Sequence, residues 1–151
     1  MTVEEFRDVV ALWHVGQRSA SDVVRAACEL LVAGVDGPSV SALAGASLRH
    51  AWEEMPPLLE DALRELGLEH HELGSEGGKE EGLRLMARRT LAGKMPPREL
   101  AEWVHNNFGH DLPQAEGLAR LDDIYDVLEY TDLSPADVDD QVMTEVRRIT
   151  S

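Results

Sequence analysis

Apolar residues recur along this chain at intervals of three and four, the spacing that lines one face of an α-helix. Val3, Phe6, Val9, Val10 and Trp13 make the first stripe. Thr2 and Glu5 are spaced as a capping box at its start, and Gly16 is the expected stop. Ser19 or Ser21 is expected to cap a second helix, with Val24, Ala27, Cys28 and Leu31 on one face and Gly34 just beyond its end. Ser39 should cap a short helix through Leu43, closed by Gly45. Pro56 and Pro57 suit the first turn of a fourth, whose stripe is Leu59, Ala62, Leu63 and Leu66. Ser75 or Glu76 should open a fifth, with Leu83, Met86, Ala87 and Leu91 inward and Gly93 as its stop. Pro96-Pro97 should begin a helix carrying Leu100, Trp103 and Val104, which ends at Phe108-Gly109. Pro113 should open a long one through Leu118, Leu121, Tyr125 and Leu128. Ser134 and Pro135 fit the N-cap and first position of the last, with Val138, Val142, Val146 and Ile149 buried.

No segment alternates apolar and polar residues as a half-buried strand would. The pattern predicts an all-α protein of seven or eight short helices in one bundle-like domain spanning 1–151. Residues 69–78 (EHHELGSEGG) are polar and Gly-rich. They are the expected hinge, between an N-terminal half 1–68 and a C-terminal half 79–151. Hydrophobic residues are 43% and charged residues 28%, as in globular chains. No apolar run approaches the ~18 residues a membrane span needs. The first ten residues, MTVEEFRDVV, carry acids where a signal peptide needs bases. The expected location is the cytoplasm. Cys28 is the one cysteine, which excludes an internal disulfide framework and a cysteine-based zinc cage.

Charge changes the picture most. Twenty-nine acids face 14 bases, for a net charge of −15. Nucleic acid and anionic membrane both reward positive surface, so the balance opposes them as general partners. Eight acids and no base lie between Asp122 and Asp140, whereas six bases and two acids lie between Lys79 and Arg98. On a helix over Leu118–Glu129, Asp122, Asp123, Asp126 and Glu129 gather opposite the apolar stripe, with Tyr130 among them. They are the expected surface for a basic protein partner.

Nucleophilic catalysis has no support. Cys28 falls on an apolar face, no serine sits in a G-x-S-x-G elbow, and the glycines spell no phosphate loop. Metal chemistry has more. His105 and His110 flank an expected helix end, with Asp111 next to the second. A turn at Gly109 would fold the two imidazoles together, and Asp122 and Asp126 add carboxylates. His70-His71 is read as hinge composition, and His14 as an imidazolium suited to the C-terminal end of its helix.

Several stretches resemble known families. Asp122-Asp123-Ile124-Tyr125-Asp126 resembles the aspartate-rich motif of all-α isoprenoid synthases, which implies magnesium held against a diphosphate; the second metal motif of those enzymes is absent here. LDDIYDVLEY is similar to a metal helix of all-α nucleotide pyrophosphatases, although neither Glu53-Glu54 nor Glu80-Glu81 completes the partner motif. Ala26-Ala27, Leu30-Leu31, Gly34, Ser39-Val40, Leu43-Ala44, Gly45 and Ser47 resemble the opening of a tetracycline-repressor-type helix-turn-helix over residues 24–58. That resemblance implies DNA binding. Its reading segment, SLRHAWEEMPP, offers Arg49 and His50 but also Glu53 and Glu54. Over residues 23–130 the chain resembles small acidic helical proteins of actinobacterial type, a group with no assigned activity; GPSVSALAG, DALRELGL, ARRTLAGKMPPRELAEWVH and LARLDDIYD carry the likeness.

The sequence thus points first to a non-enzymatic acidic binding protein, immunity- or regulator-like, with no cofactor. It would dock a basic partner through the 122–140 face, and a homodimer is compatible. A magnesium- or zinc-dependent hydrolase using Asp122 and Asp126 with His105 and His110 is the alternative. A helix-turn-helix regulator is the second.

Overall fold

A computed structural model describes residues 1–151. It contains eight α-helices and no strand, as the periodicity predicts. They are α1 Val3–His14, α2 Ala20–Val32, α3 Pro38–Ala44, α4 Ala51–Glu65, α5 Glu76–Leu91, α6 Pro97–Phe108, α7 Glu116–Asp126 and α8 Pro135–Thr150. No helix is long and apolar enough to cross a membrane. The chain divides into two compact units, Met1–Gly82 and Leu83–Ser151. The division falls inside α5. The polar stretch 69–78 belongs wholly to the first unit, where Glu69 and His71 fold back toward the start of α5.

In the first unit α2 packs against α1, α3 and α4, and α3 against α4. Phe6, Val23, Leu30, Val40, Leu43, Met55, Leu59 and Leu63 fill its core. Most boundaries follow local chemistry. Thr2 Oγ1 accepts the Glu5 N–H at 3.1 Å, and Ser19 with Asp22 forms a reciprocal capping box on α2. Three expectations give way. Helix α3 begins at Pro38, so Ser39 is not its cap. Instead the Glu65 carboxylate, from the end of α4, accepts the Ser39 and Val40 N–H groups at 3.2 and 2.8 Å. Helix α4 begins at Ala51 and carries Pro56 and Pro57 inside it. The carbonyls those prolines leave unpaired belong to Trp52 and Glu53, both exposed. Cys28 is exposed, because Ala27 and Leu30 take the inward positions.

In the second unit α6, α7 and α8 pack on one another. Leu83, Met86, Leu100, Val104, Leu118, Val138, Val142 and Val146 are fully buried. Ser134 and Asp137 form a capping box before Pro135. The long helix expected from Pro113 is broken at both ends. Pro113–Ala115 is a 3₁₀ turn, α7 stops at Asp126, and a second 3₁₀ turn spans Leu128–Tyr130. The last turn of α7 holds Asp123 and Asp126 with no base. Negative charge there opposes the helix macrodipole.

Candidate functional site

The residues singled out from the sequence separate into two groups in the second unit. The first gathers where α6 ends and α7 passes it. Gly109 takes φ +56°, a backbone open to glycine, and turns the chain so that His105 and His110 meet edge to face. Their ring centroids lie 4.9 Å apart. His105 Nδ1–H donates to Asp122 Oδ2 at 2.8 Å, and Asp123 lies 3.7 Å away. This bond, with the charges of Asp123 and Asp126, raises the His105 pKa above its ordinary 6.5. His110 Nδ1–H donates to Glu116 at 3.0 Å, and its Nε2 is 3.6 Å from Asp123 Oδ2. Each imidazole is thus held through Nδ1 by a carboxylate, and Asp123 reaches toward both. Donor atoms of His105, His110 and Asp123 converge within 4.8 Å of one another.

The expected metal set changes accordingly. Asp111 and Asp126 are not among the converging donors. Asp122 orients a ring rather than facing open solvent; its side chain is 13% exposed, against 57% for Asp123. Glu116 has a place that sequence spacing did not single out. Its signal was the position six residues after His110, across Pro113, which only the intervening 3₁₀ turn makes close.

The second group follows the end of α7. Asp126, Glu129 and Asp132 are exposed, and none forms an ion pair. Tyr130 stands among them with 82% of its surface exposed, flanked by exposed Val127 and Leu133. The remaining acids of the 122–140 stretch split in role. Asp137 caps α8, and Asp139 accepts a short hydrogen bond from the Tyr125 hydroxyl. Burial and that bond push the Tyr125 phenol above its ordinary pKa of 10.0. Tyr125 is buried, with the Arg98 guanidinium over its ring at 5.1 Å. The predicted continuous acidic face is therefore shorter than its sequence span. Its solvent-facing part runs from Asp123 to Asp132, and on α8 Asp140 and the capping Asp137 are exposed as well.

The helix-turn-helix resemblance falls on α2, α3 and α4 of the first unit. Arg49 and His50 precede α4, whose exposed first turn carries Trp52, Glu53 and Glu54. No protein-family model, no curated protein and no solved structure matches the chain.

Proposed function

We propose that this protein is a non-enzymatic docking module for a basic protein, and that its contact surface is the segment Asp126–Leu133. One observation carries the reading: an aromatic side chain 82% exposed, set among Asp126, Glu129 and Asp132, none of which forms an ion pair. An exposed tyrosine supplies contact area at low entropic cost, and tyrosine is enriched where binding energy concentrates. Unpaired acids around it speed association with a cationic surface and discourage acidic competitors. The net charge of −15 acts in the same direction at longer range. The test is affinity capture at low salt with the native chain and with the variant Asp126→Lys/Glu129→Lys/Tyr130→Ala. The native chain should retain lysine- and arginine-rich proteins that salt releases, and the variant should lose them with its helical circular dichroism intact. Equal capture by both chains refutes the reading.

A second reading rests on the His105–His110–Asp123 convergence. His110, fixed through Nδ1 by Glu116, turns Nε2 toward Asp123, the arrangement that raises ligand basicity at zinc sites, while His105 approaches Asp123 through Nδ1. Asp122 and Glu116 would hold the rings, Asp123 would supply the third donor, and a bound ion would activate water for hydrolysis. Zinc calorimetry on native and His105→Ala/His110→Ala chains, with an ester-hydrolysis assay, separates the two readings. Zinc-dependent turnover abolished by that pair favours the hydrolase; no turnover, with zinc heat unchanged between the two chains, leaves the docking module.

A further inference from the structure

The first unit holds another cluster that neither reading uses. Glu69 and His71 come from the stretch between α4 and α5, and Glu81 comes from the second turn of α5. Their donor atoms lie within 4.8 Å of one another. His71 Nε2–H donates to Glu81 Oε1 at 3.2 Å, and Glu69 Oε2 is 3.8 Å from the same nitrogen. The site is more enclosed than the one on α7: the His71 and Glu81 side chains are both mostly buried. The Arg7 guanidinium approaches Glu81 only loosely, at 3.9 Å.

His14 lies beside this group. It is 8% exposed, and its Nδ1 has no hydrogen-bond partner. A buried polar atom left unpaired costs about 1–3 kcal/mol. Its ring stands edge-on to that of His71, with centroids 6.4 Å apart. Burial, reinforced by His71, lowers its pKa below the ordinary 6.5.

Two glycines make room for these rings. Gly77 and Gly78 sit in the first turn of α5, and neither has a positive φ, so backbone conformation does not require glycine there. A Cβ at Gly77 would stand 2.6 Å from His71 Nδ1, and one at Gly78 2.6 Å from His14 Nδ1. Each glycine forgoes about 0.5–1 kcal/mol of helix stability relative to alanine. The consecutive pair admits two imidazoles against the helix. Gly77 leaves room for the Nδ1 edge of His71, whose Nε2 faces both carboxylates.

We infer that Glu69, His71 and Glu81, with His14 adjoining them, form a binding site for a divalent transition-metal ion of the zinc class. One imidazole and two carboxylates are three donors of the types zinc takes, with a further position for water or a fourth donor. The ion would take the place of the hydrogen bond between His71 Nε2 and Glu81, the displaced proton passing to solvent. This site is independent of the docking surface and of the His105–His110 group.

The experiment is calorimetric titration of the full chain with Zn²⁺, repeated with Co²⁺ and read by its visible absorption. The native chain should bind with micromolar or tighter affinity. Glu69→Gln, which alters an exposed side chain, should weaken binding at least tenfold, and His71→Ala/Glu81→Gln should remove one equivalent of metal. Gly77→Ala deletes no donor but crowds the ring, and should also weaken binding at least tenfold with helix content unchanged. His105→Ala/His110→Ala should leave this equivalent in place. No Zn²⁺ binding by the native chain overturns the inference. So does binding that survives His71→Ala/Glu81→Gln and disappears in His105→Ala/His110→Ala.

Discussion

Both units bring histidine to carboxylate, but in opposite surroundings. In the first, His14 and His71 press against glycines of α5. In the second, His105 and His110 stand nearer the surface, each donating through Nδ1 to an acid. Enclosure lowers the pKa of His14, whereas the bond to Asp122 raises that of His105. The same residue type is thus pushed toward the neutral form in one place and toward the charged form in the other. What separates them is how near a backbone comes to the ring, and glycine is what allows the near approach.

The largest expected effect sets Gly82 against Gly117. A Cβ at Gly82 would strike Val15 and stand 2.8 Å from the Ala11 carbonyl oxygen, a backbone atom that cannot swing away. Gly82→Ala should cost about 2 kcal/mol by overpacking. The atoms nearest a Cβ at Gly117 belong to the flexible Glu145 carboxylate. Gly117→Ala should be neutral or stabilising by about 0.5 kcal/mol through helix propensity. Urea denaturation measures both, and equal losses would show that the first unit is no more tightly closed than the second. Next in size is Tyr125→Phe, which removes a partly buried bond to a charged acceptor and should cost about 1–2 kcal/mol. A loss below about 0.5 kcal/mol would mean that Asp139 finds water instead.

The histidines should impose opposite pH trends on the metal-free chain. The lowered pKa of His14 favours the fold above 6.5; that contribution falls as pH drops below 6.5 and levels off under the folded value. The raised pKa of His105 gives a contribution complete below 6.5 and lost as pH rises through the folded value. Between about pH 5 and about 8, His14→Gln should therefore remove a rise of stability with pH that lies below 6.5, and His105→Gln a fall of stability with pH that lies above 6.5. Slope changes of the same sign in both variants would refute the assignment. The smallest effect belongs to Tyr130→Ala, which should change stability by less than about 0.5 kcal/mol, because its ring touches mainly solvent.

Helix boundaries set by neighbouring residues were readable in the sequence. Ser19 with Asp22 and Ser134 with Asp137 carry their caps within four residues, and Gly16, Gly34, Gly67 and Gly93 all take positive φ where the stripes end. Boundaries set from a distance were not. Nothing near Ser39 announces that Glu65 caps α3. The acidic stretch was visible as composition, but its division among a helix cap, a partner for tyrosine, an imidazole anchor and free surface required contacts between α6, α7 and α8. His14 was read as a helix-end cation because its position fits one. Burial beside Gly78 reverses that, and a histidine's period along a helix does not report the backbone that arrives from sixty-odd residues later.

The Glu65 carboxylate on Ser39 and Val40 has a dynamic consequence. A seven-residue helix is too short to persist alone in water. The start of α3 is anchored by a side chain from the far end of α4, so fraying of either terminus releases the other. The two will open as one cooperative piece, and amide hydrogen exchange at Ser39 and Val40 will report the unwinding of a turn more than twenty residues downstream.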